Sequence, residues 1–73
     1  MLRRITSLAR QHEGVVDVQG FRLIRDRKLA LFDVVVEYSH IDADVLAELI
    51  TDEAEELFEG YRFLATVEPL MTG

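Results

Sequence analysis

Few types of side chain in this sequence could bind a metal or catalyse a reaction, and most of the residues concerned are carboxylates. The chain has fourteen Asp and Glu residues, two His and no Cys. Asp33 interrupts an apolar run, so it is either a ligand or a solvated residue on an open face, because an unpaired buried charge is costly. His40 lies close to Asp42 and Asp44, which makes this the best local cluster for a metal ion, although Asp42 is also explained as a helix cap. Metal binding is therefore one chemistry that these residues could support, beside the plainer role of solvated surface acids.

Catalysis, by contrast, lacks the residues that it needs. The sequence offers no set of nucleophile, base and orienting group, no thiol and no phosphate-cradling loop. The two histidines, His12 and His40, lie in separate segments without a paired Ser or Cys motif. A chain this small also leaves hardly any room for a pocket of drug-like volume. We therefore expect that the protein is not an enzyme.

Length and composition predict one folded domain over residues 1–73. Hydrophobic residues make up 49% of the chain and charged residues 30%, which is typical of a folded protein with a modest core. Without cysteine, the reinforcement that so short a chain usually needs is expected to be self-association or a metal. Since no apolar run is long enough to span a bilayer and the start lacks a signal peptide, we predict a soluble, intracellular segment without direct membrane insertion.

Charge is unevenly distributed along the chain. Residues 1–30 carry seven basic and three acidic side chains, whereas residues 31–73 carry one basic and eleven acidic, for a net charge of −6. The acidic half argues against a nucleic-acid partner, because it would repel phosphates. The basic start suits an anionic membrane face, but solvated arginines on an amphipathic helix explain it better.

The elements that must position these residues follow the order α-β-β-α-β. Apolar spacing predicts a first helix that includes His12 and stops at Gly14, and in such a place a structural histidine is expected more than a ligand. We predict three strands, at residues 15–24, 29–38 and 61–67, and a bulge at Gly20 within the first of them. A helix should begin after the Asp42 cap and end near Phe58. Its apolar stripe is predicted to consist of Val45, Leu46, Leu49, Ile50, Ala54 and Leu57.

This order also predicts how the sheet is built. The connection through the second helix should be a right-handed crossover, which makes the second and third strands parallel neighbours. Both helices can then cover one face of the sheet. The other face would expose Leu29, Leu31, Val35 and Leu64, a larger apolar patch than a small monomer normally leaves in water. We therefore expect a homodimer, or docking to another domain.

Four segments resemble one protein family in the same order and spacing. Residues 14–22, GVVDVQGFR, resemble the opening strand G-V-x-x-V-H-x-L-R of the cytoplasmic C-terminal domain of cation diffusion facilitator metal transporters. FDVVV at 32–36 resembles the family's V-D-L-H-V strand, 42–57 its acidic second helix, and VEP at 67–69 its closing strand end. Together these segments span nearly the whole chain.

The resemblance implies both a fold and a role. The fold is a ferredoxin-like αββαβ sandwich of the α+β class, with a three-stranded mixed sheet and two helices on one face. The domain would lie on the cytoplasmic side of the cell membrane, below the transmembrane domain of a metal/proton antiporter. It would form a homodimer that divalent cations draw together, and so regulate the efflux of the metal.

The family's metal ligands carry over only in part. Where the family often has histidine, this sequence has Gln19, Val35, Glu48 and Thr66, so the resemblance does not carry over a zinc site built on imidazoles. Asp33, Glu48 and Glu68 remain at matching positions. All three are oxygen donors, which suit Mn(II), Mg(II) or Fe(II) better than a tight Zn site. Carboxylates on a helix or at a strand end, such as Glu48 and Glu68, are more often solvated surface acids than ligands. The resemblance thus implies a divalent-metal response that is weak, centred on Asp33, or lost.

Other classes of protein share this arrangement of helices on one sheet face. An ACT-like module that senses small ligands is the main alternative, but its glycine-rich loop is not visible in this sequence. A soluble metallochaperone would need a C-x-x-C motif, which a chain without cysteine cannot supply. RNA recognition would need basic and aromatic residues interleaved on the sheet, and only Phe21 with Arg22 and Arg62 with Phe63 hint at that.

Overall fold

The computed structural model describes residues 1–37 and 42–70. The helices are α1 (Leu2–Arg10) and α2 (Ala43–Leu57), and the strands are β1 (Val15–Ile24), β2 (Leu29–Val36) and β3 (Arg62–Pro69). A short 3-10 turn at Arg25–Arg27 joins β1 to β2. The predicted α-β-β-α-β order and α+β class are therefore confirmed.

The sheet has the order β1-β2-β3, with β2 in the centre. Strand β2 pairs antiparallel with β1 through the hairpin and parallel with β3 through α2. Beyond Val36 the chain bends at Glu37, whose backbone N–H donates to the carbonyl of Gly14 at 2.7 Å. The prediction that β2 runs on to residue 38 placed its end too late, and residue 38 itself lies outside the described ranges.

Both helices pack on the same face of this sheet. The residues of β2 that point to them, Ala30, Phe32, Val34 and Val36, are at most 3% exposed. They form one cluster with buried residues of α1 (Ile5, Ala9) and α2 (Leu46, Ile50, Ala54). This is the predicted ferredoxin-like arrangement, and burying each large side chain contributes roughly 1.5–3 kcal/mol.

Helix α2 buries less of its apolar surface than the sequence predicts. It begins at Asp42, whose carboxylate accepts from the backbone N–H groups of Asp44 and Val45, as a cap should. Of the predicted stripe, Val45, Leu49 and Leu57 are 51%, 48% and 39% exposed. Val45 and Leu49 lie on one edge of the stripe, beyond the strip of helix that touches the sheet, and Leu57 is the last residue of the helix.

Strand β1 contains two irregularities. The predicted bulge is present, because the register slips between Gln19 and Arg22 and Gly20 has a φ of 61°. A second slip near Val16 was not predicted. As a result the residue that shares the core face with Val18 is Val15, and not Val16 as simple alternation would require.

Candidate functional site

The face of the sheet turned away from the helices is the candidate site, and we call it the open face. Strand register places its twelve residues in four rows, each running from β1 across β2 to β3. From the hairpin end to the opposite end, the rows are Ile24, Leu29, Arg62; Arg22, Leu31, Leu64; Gln19, Asp33, Thr66; and Asp17, Val35, Glu68.

Asp33 lies near the middle of the open face and is held from both sides. The Thr66 hydroxyl donates to Asp33 Oδ1 from β3. From β1, Gly20 comes so close that a Cβ added there would lie 2.6 Å from Asp33 Oδ2. The β1 bulge thus opens a space that the Asp33 carboxylate fills, and a side chain at position 20 would displace that carboxylate from it.

The surroundings of Asp33 form a shallow depression and not an enclosed pocket. Its volume is about 330 Å³, and its lining combines apolar side chains such as Leu31 and Leu64 with Arg22, Asp33 and Thr66. Asp33 itself is only partly buried. Such a surface can receive side chains of another protein or a partly hydrated ion.

The predicted metal ligands are distributed over different parts of the molecule. Asp33 and Glu68 share the open face, but Glu68 lies in the last row and is exposed. Glu48 is exposed on α2, which packs on the opposite side of the sheet. His40 lies outside the described residues. Over residues 1–37 and 42–70, no three His, Asp or Glu side chains are grouped closely enough to hold a metal.

Three of the positions where the family often has histidine nevertheless gather around Asp33. Gln19 and Thr66 flank it within one row, and Val35 follows in the next row on β2. The Thr66 hydroxyl already occupies one carboxylate oxygen, a role that the sequence reading missed. Pairing β2 with β3 in register from the start would have placed Thr66 beside Asp33.

The sequence predicts that four apolar residues of the open face are exposed, and this prediction is only partly correct. Leu64 is 55% exposed and Leu29 and Leu31 are half-buried, but Val35 is only 3% exposed. Val35 is a short side chain on the central strand, and its register partners Asp17 and Glu68 are longer. The apolar part of the open face therefore lies toward the hairpin end.

Charge divides the open face into two ends. Arg62 and Arg22 lie in the two rows nearest the hairpin, and Arg27 of the turn extends this basic end. The two rows at the opposite end hold three acids, Asp17, Asp33 and Glu68. Opposite charges are thus separated along the strand direction on one surface.

His12 has a structural partner on the helix side of the molecule. Its Nε2 lies 2.5 Å from Glu53 Oε1, which ties the turn after α1 to α2. Nearby, the Arg4 guanidinium lies 5.5 Å from the centre of the Phe58 ring. These contacts join the two helices and support the expectation that His12 is structural.

Comparison with known proteins finds no matching family model and no matching curated protein. In the described part of the chain, no helix has both the length and the apolar character that crossing a bilayer requires. The likeness to cation diffusion facilitator domains therefore remains an interpretation of the sequence motifs.

Proposed function

We propose that this chain is the cytoplasmic regulatory and dimerisation domain of a divalent-cation efflux transporter of the cation diffusion facilitator type. In this role the domain forms a homodimer below the transmembrane part of the same transporter. Binding of a cation such as Zn, Mn(II) or Fe(II) between the two copies closes the pair. The domain carries out no catalysis of its own.

The observation that carries the proposal is the position of Asp33. It lies on the one sheet face that the helices leave open, in a row with Gln19 and Thr66. All three are oxygen donors, and they occupy or adjoin positions where the resemblance expects ligands. A carboxylate among amide and hydroxyl groups suits a hard divalent cation.

Within residues 1–37 and 42–70, one chain offers too few ligands for such an ion. Asp33 supplies a single carboxylate, and one of its oxygens already accepts from Thr66. A second copy facing the first would bring a second Asp33 toward the same region. Two carboxylates repel each other across a partly desolvated interface, and a divalent cation relieves that repulsion. Closure of the dimer would thereby report the level of the metal.

Spin-label distances test this role directly. A label on the exposed helix surface, for example at Asp52→Cys, reports the separation of the two copies with and without Zn, Mn or Fe(II). We expect at least one ion to shorten the distance in the labelled parent, and the shift to disappear with Asp33→Asn. If no ion changes the distance, or if the shift survives Asp33→Asn, the metal response assigned to Asp33 is wrong.

Calorimetry separates this proposal from the ACT-like alternative. A small-ligand sensor should bind amino acids with measurable heat, whereas the proposed domain should not. Saturable binding of an amino acid that also changes the oligomeric state would contradict the transporter role.

A further inference from the structure

We propose that the open face pairs with the open face of a second copy in an antiparallel sense, so that the basic end of each sheet meets the acidic end of the other. This inference rests on the dimerisation proposed above and adds the surface, the orientation and the contacting residues. It follows from the shape, the apolar character and the charge pattern of the open face.

Four apolar side chains lie together on the part of the open face nearest the hairpin. Leu64 and Ile24 are 55% and 41% exposed, and Leu29 and Leu31 lie between them on the central strand. Both helices are on the other side of the sheet and cannot cover these residues. Removing such side chains from water contributes about 25 cal/mol per Å² of apolar area.

When the strands of the two copies are roughly aligned, which is one of the two preferred packings of facing sheets, two-fold symmetry leaves two ways to stack this face. A two-fold axis that relates facing sheets must lie in the plane between them, because it has to turn one face toward the other. If the axis runs along the strands, the basic ends meet each other and so do the acidic ends. If it runs across the strands, between the second and third rows, each basic end meets an acidic end, while the two Asp33 side chains flank the axis diagonally, where a shared cation can still relieve their repulsion.

The separation of charge on the open face selects the second arrangement. Like charges brought together in an interface cost several kcal/mol, whereas opposite charges fix the register. With the axis across the strands, each strand lies over the same strand of the partner, and the two run in opposite directions. Arg62 of the first row then faces the partner's Glu68 of the last row, and Arg22 faces the region of the partner's Asp17 and Gln19.

The basic end also has room for an incoming carboxylate. A depression of about 460 Å³ lies between Arg27, Leu29, Arg62 and Leu64. Its two guanidinium groups lie beside two leucine side chains. A glutamate could therefore place its carboxylate on the guanidinium groups and pack its methylene groups on the leucines. Glu68 is an exposed residue near the end of β3 and can reach such a site on the partner.

A charge-reversal cycle tests the orientation. Dimer dissociation constants are measured by sedimentation for the parent, Arg62→Glu, Glu68→Arg and the double variant, with and without added metal. In the antiparallel dimer each single reversal creates two like-charge contacts by symmetry, and we expect roughly tenfold or greater weakening. The double variant restores two opposite pairs and should return to within about threefold of the parent.

Two matched variants control for the change in net charge. Arg3→Glu and Glu56→Arg make the same reversals at exposed positions on the helices. They should leave the dissociation constant within about threefold of the parent, because they lie away from the open face. Circular dichroism of every variant confirms that the monomer still folds.

The possible outcomes separate the orientation from the proposed function. If the parent dimerises but Arg62→Glu tightens the pair, or the double variant is not rescued, the antiparallel pairing is wrong while the dimerisation domain stands. Pairing through the edge of β1 or β3 would give this same lack of rescue. A parent that is monomeric with every metal contradicts the proposed function as well as the inference.

Discussion

The two faces of strand β2 differ in almost every physical respect although they alternate along the same eight residues. Toward the helices, Ala30, Phe32, Val34 and Val36 are at most 3% exposed and entirely apolar. Toward the open face, Val35 is also buried, but Leu29, Leu31 and Asp33 are only half-buried, and a carboxylate interrupts the apolar row. The first face holds the fold together, and the second is available for recognition.

The largest difference between the faces should appear in stability. Phe32→Ala removes a ring that is 2% exposed in the centre of the core, so we expect a loss of about 3–5 kcal/mol in the free energy of unfolding. For a domain this small, that loss would leave most of the chain unfolded. The matched change on the open face, Leu64→Ala, should cost the monomer only about 0.5 kcal/mol. Urea denaturation at concentrations below the dimer dissociation constant compares the two variants, and equal losses would contradict the division into faces.

The contact between Gly20 and Asp33 should show the next largest effect. Gly20→Ala adds a Cβ 2.6 Å from Asp33 Oδ2 at a φ of 61°, and we expect a loss of about 2 kcal/mol from strain and collision. Gly60→Ala is the control, because its φ of 87° is also left-handed but no atom lies within 4 Å of the added Cβ. It should cost only about 1 kcal/mol.

A double variant separates the collision from the backbone strain. In an Asp33→Ala background the added methyl group meets no carboxylate, so the cost of Gly20→Ala should fall to that of Gly60→Ala. Thermal unfolding of the four members of the cycle measures this coupling. If the cost of Gly20→Ala is unchanged, Asp33 does not fill the space that the bulge opens.

Loss of the N-terminal cap of α2, one of the two helices that cover the sheet, should lower the free energy of unfolding by a smaller amount. Asp42→Ala removes the carboxylate that accepts from the N–H groups of Asp44 and Val45 at 3.1 and 3.2 Å, and we expect a loss of about 1 kcal/mol. Asp42→Ser keeps a capping oxygen and should recover most of that loss. Denaturant midpoints for both variants provide the test, and an equal loss in the two would show that the cap contributes little.

Much of the sheet face that the helices cover could be predicted from the sequence, because the residues that mark its elements are close together in the chain. Glycines at 14 and 60, the Asp42 cap and the alternation in β2 each mark a boundary or a face within a few residues. Alternation alone would bury Val16 in place of Val15, and periodicity alone would bury Val45 and Leu49, because a bulge and the width of the sheet decide which apolar residues are buried. The local sequence pattern indicates neither this bulge nor the width of the sheet.

The open face was harder to predict, because its features depend on register between distant strands. Asp33 was recognised as an interruption of an apolar run, but its partner Thr66 lies 33 residues further on. The division into basic and acidic ends likewise appears only when three strands are aligned. Glu48, chosen by resemblance, proved to lie on the other side of the sheet from Asp33.

We expect the open face, and not the exposed edge of α2, to join two copies of this chain. Sedimentation equilibrium of Leu64→Asp beside Leu49→Asp tests it most directly, since the two leucines are 55% and 48% exposed on opposite sides of the sheet. We predict that the parent and Leu49→Asp are dimers with similar dissociation constants, while Leu64→Asp is a folded monomer. A dimeric Leu64→Asp, or a monomeric Leu49→Asp, would contradict the account.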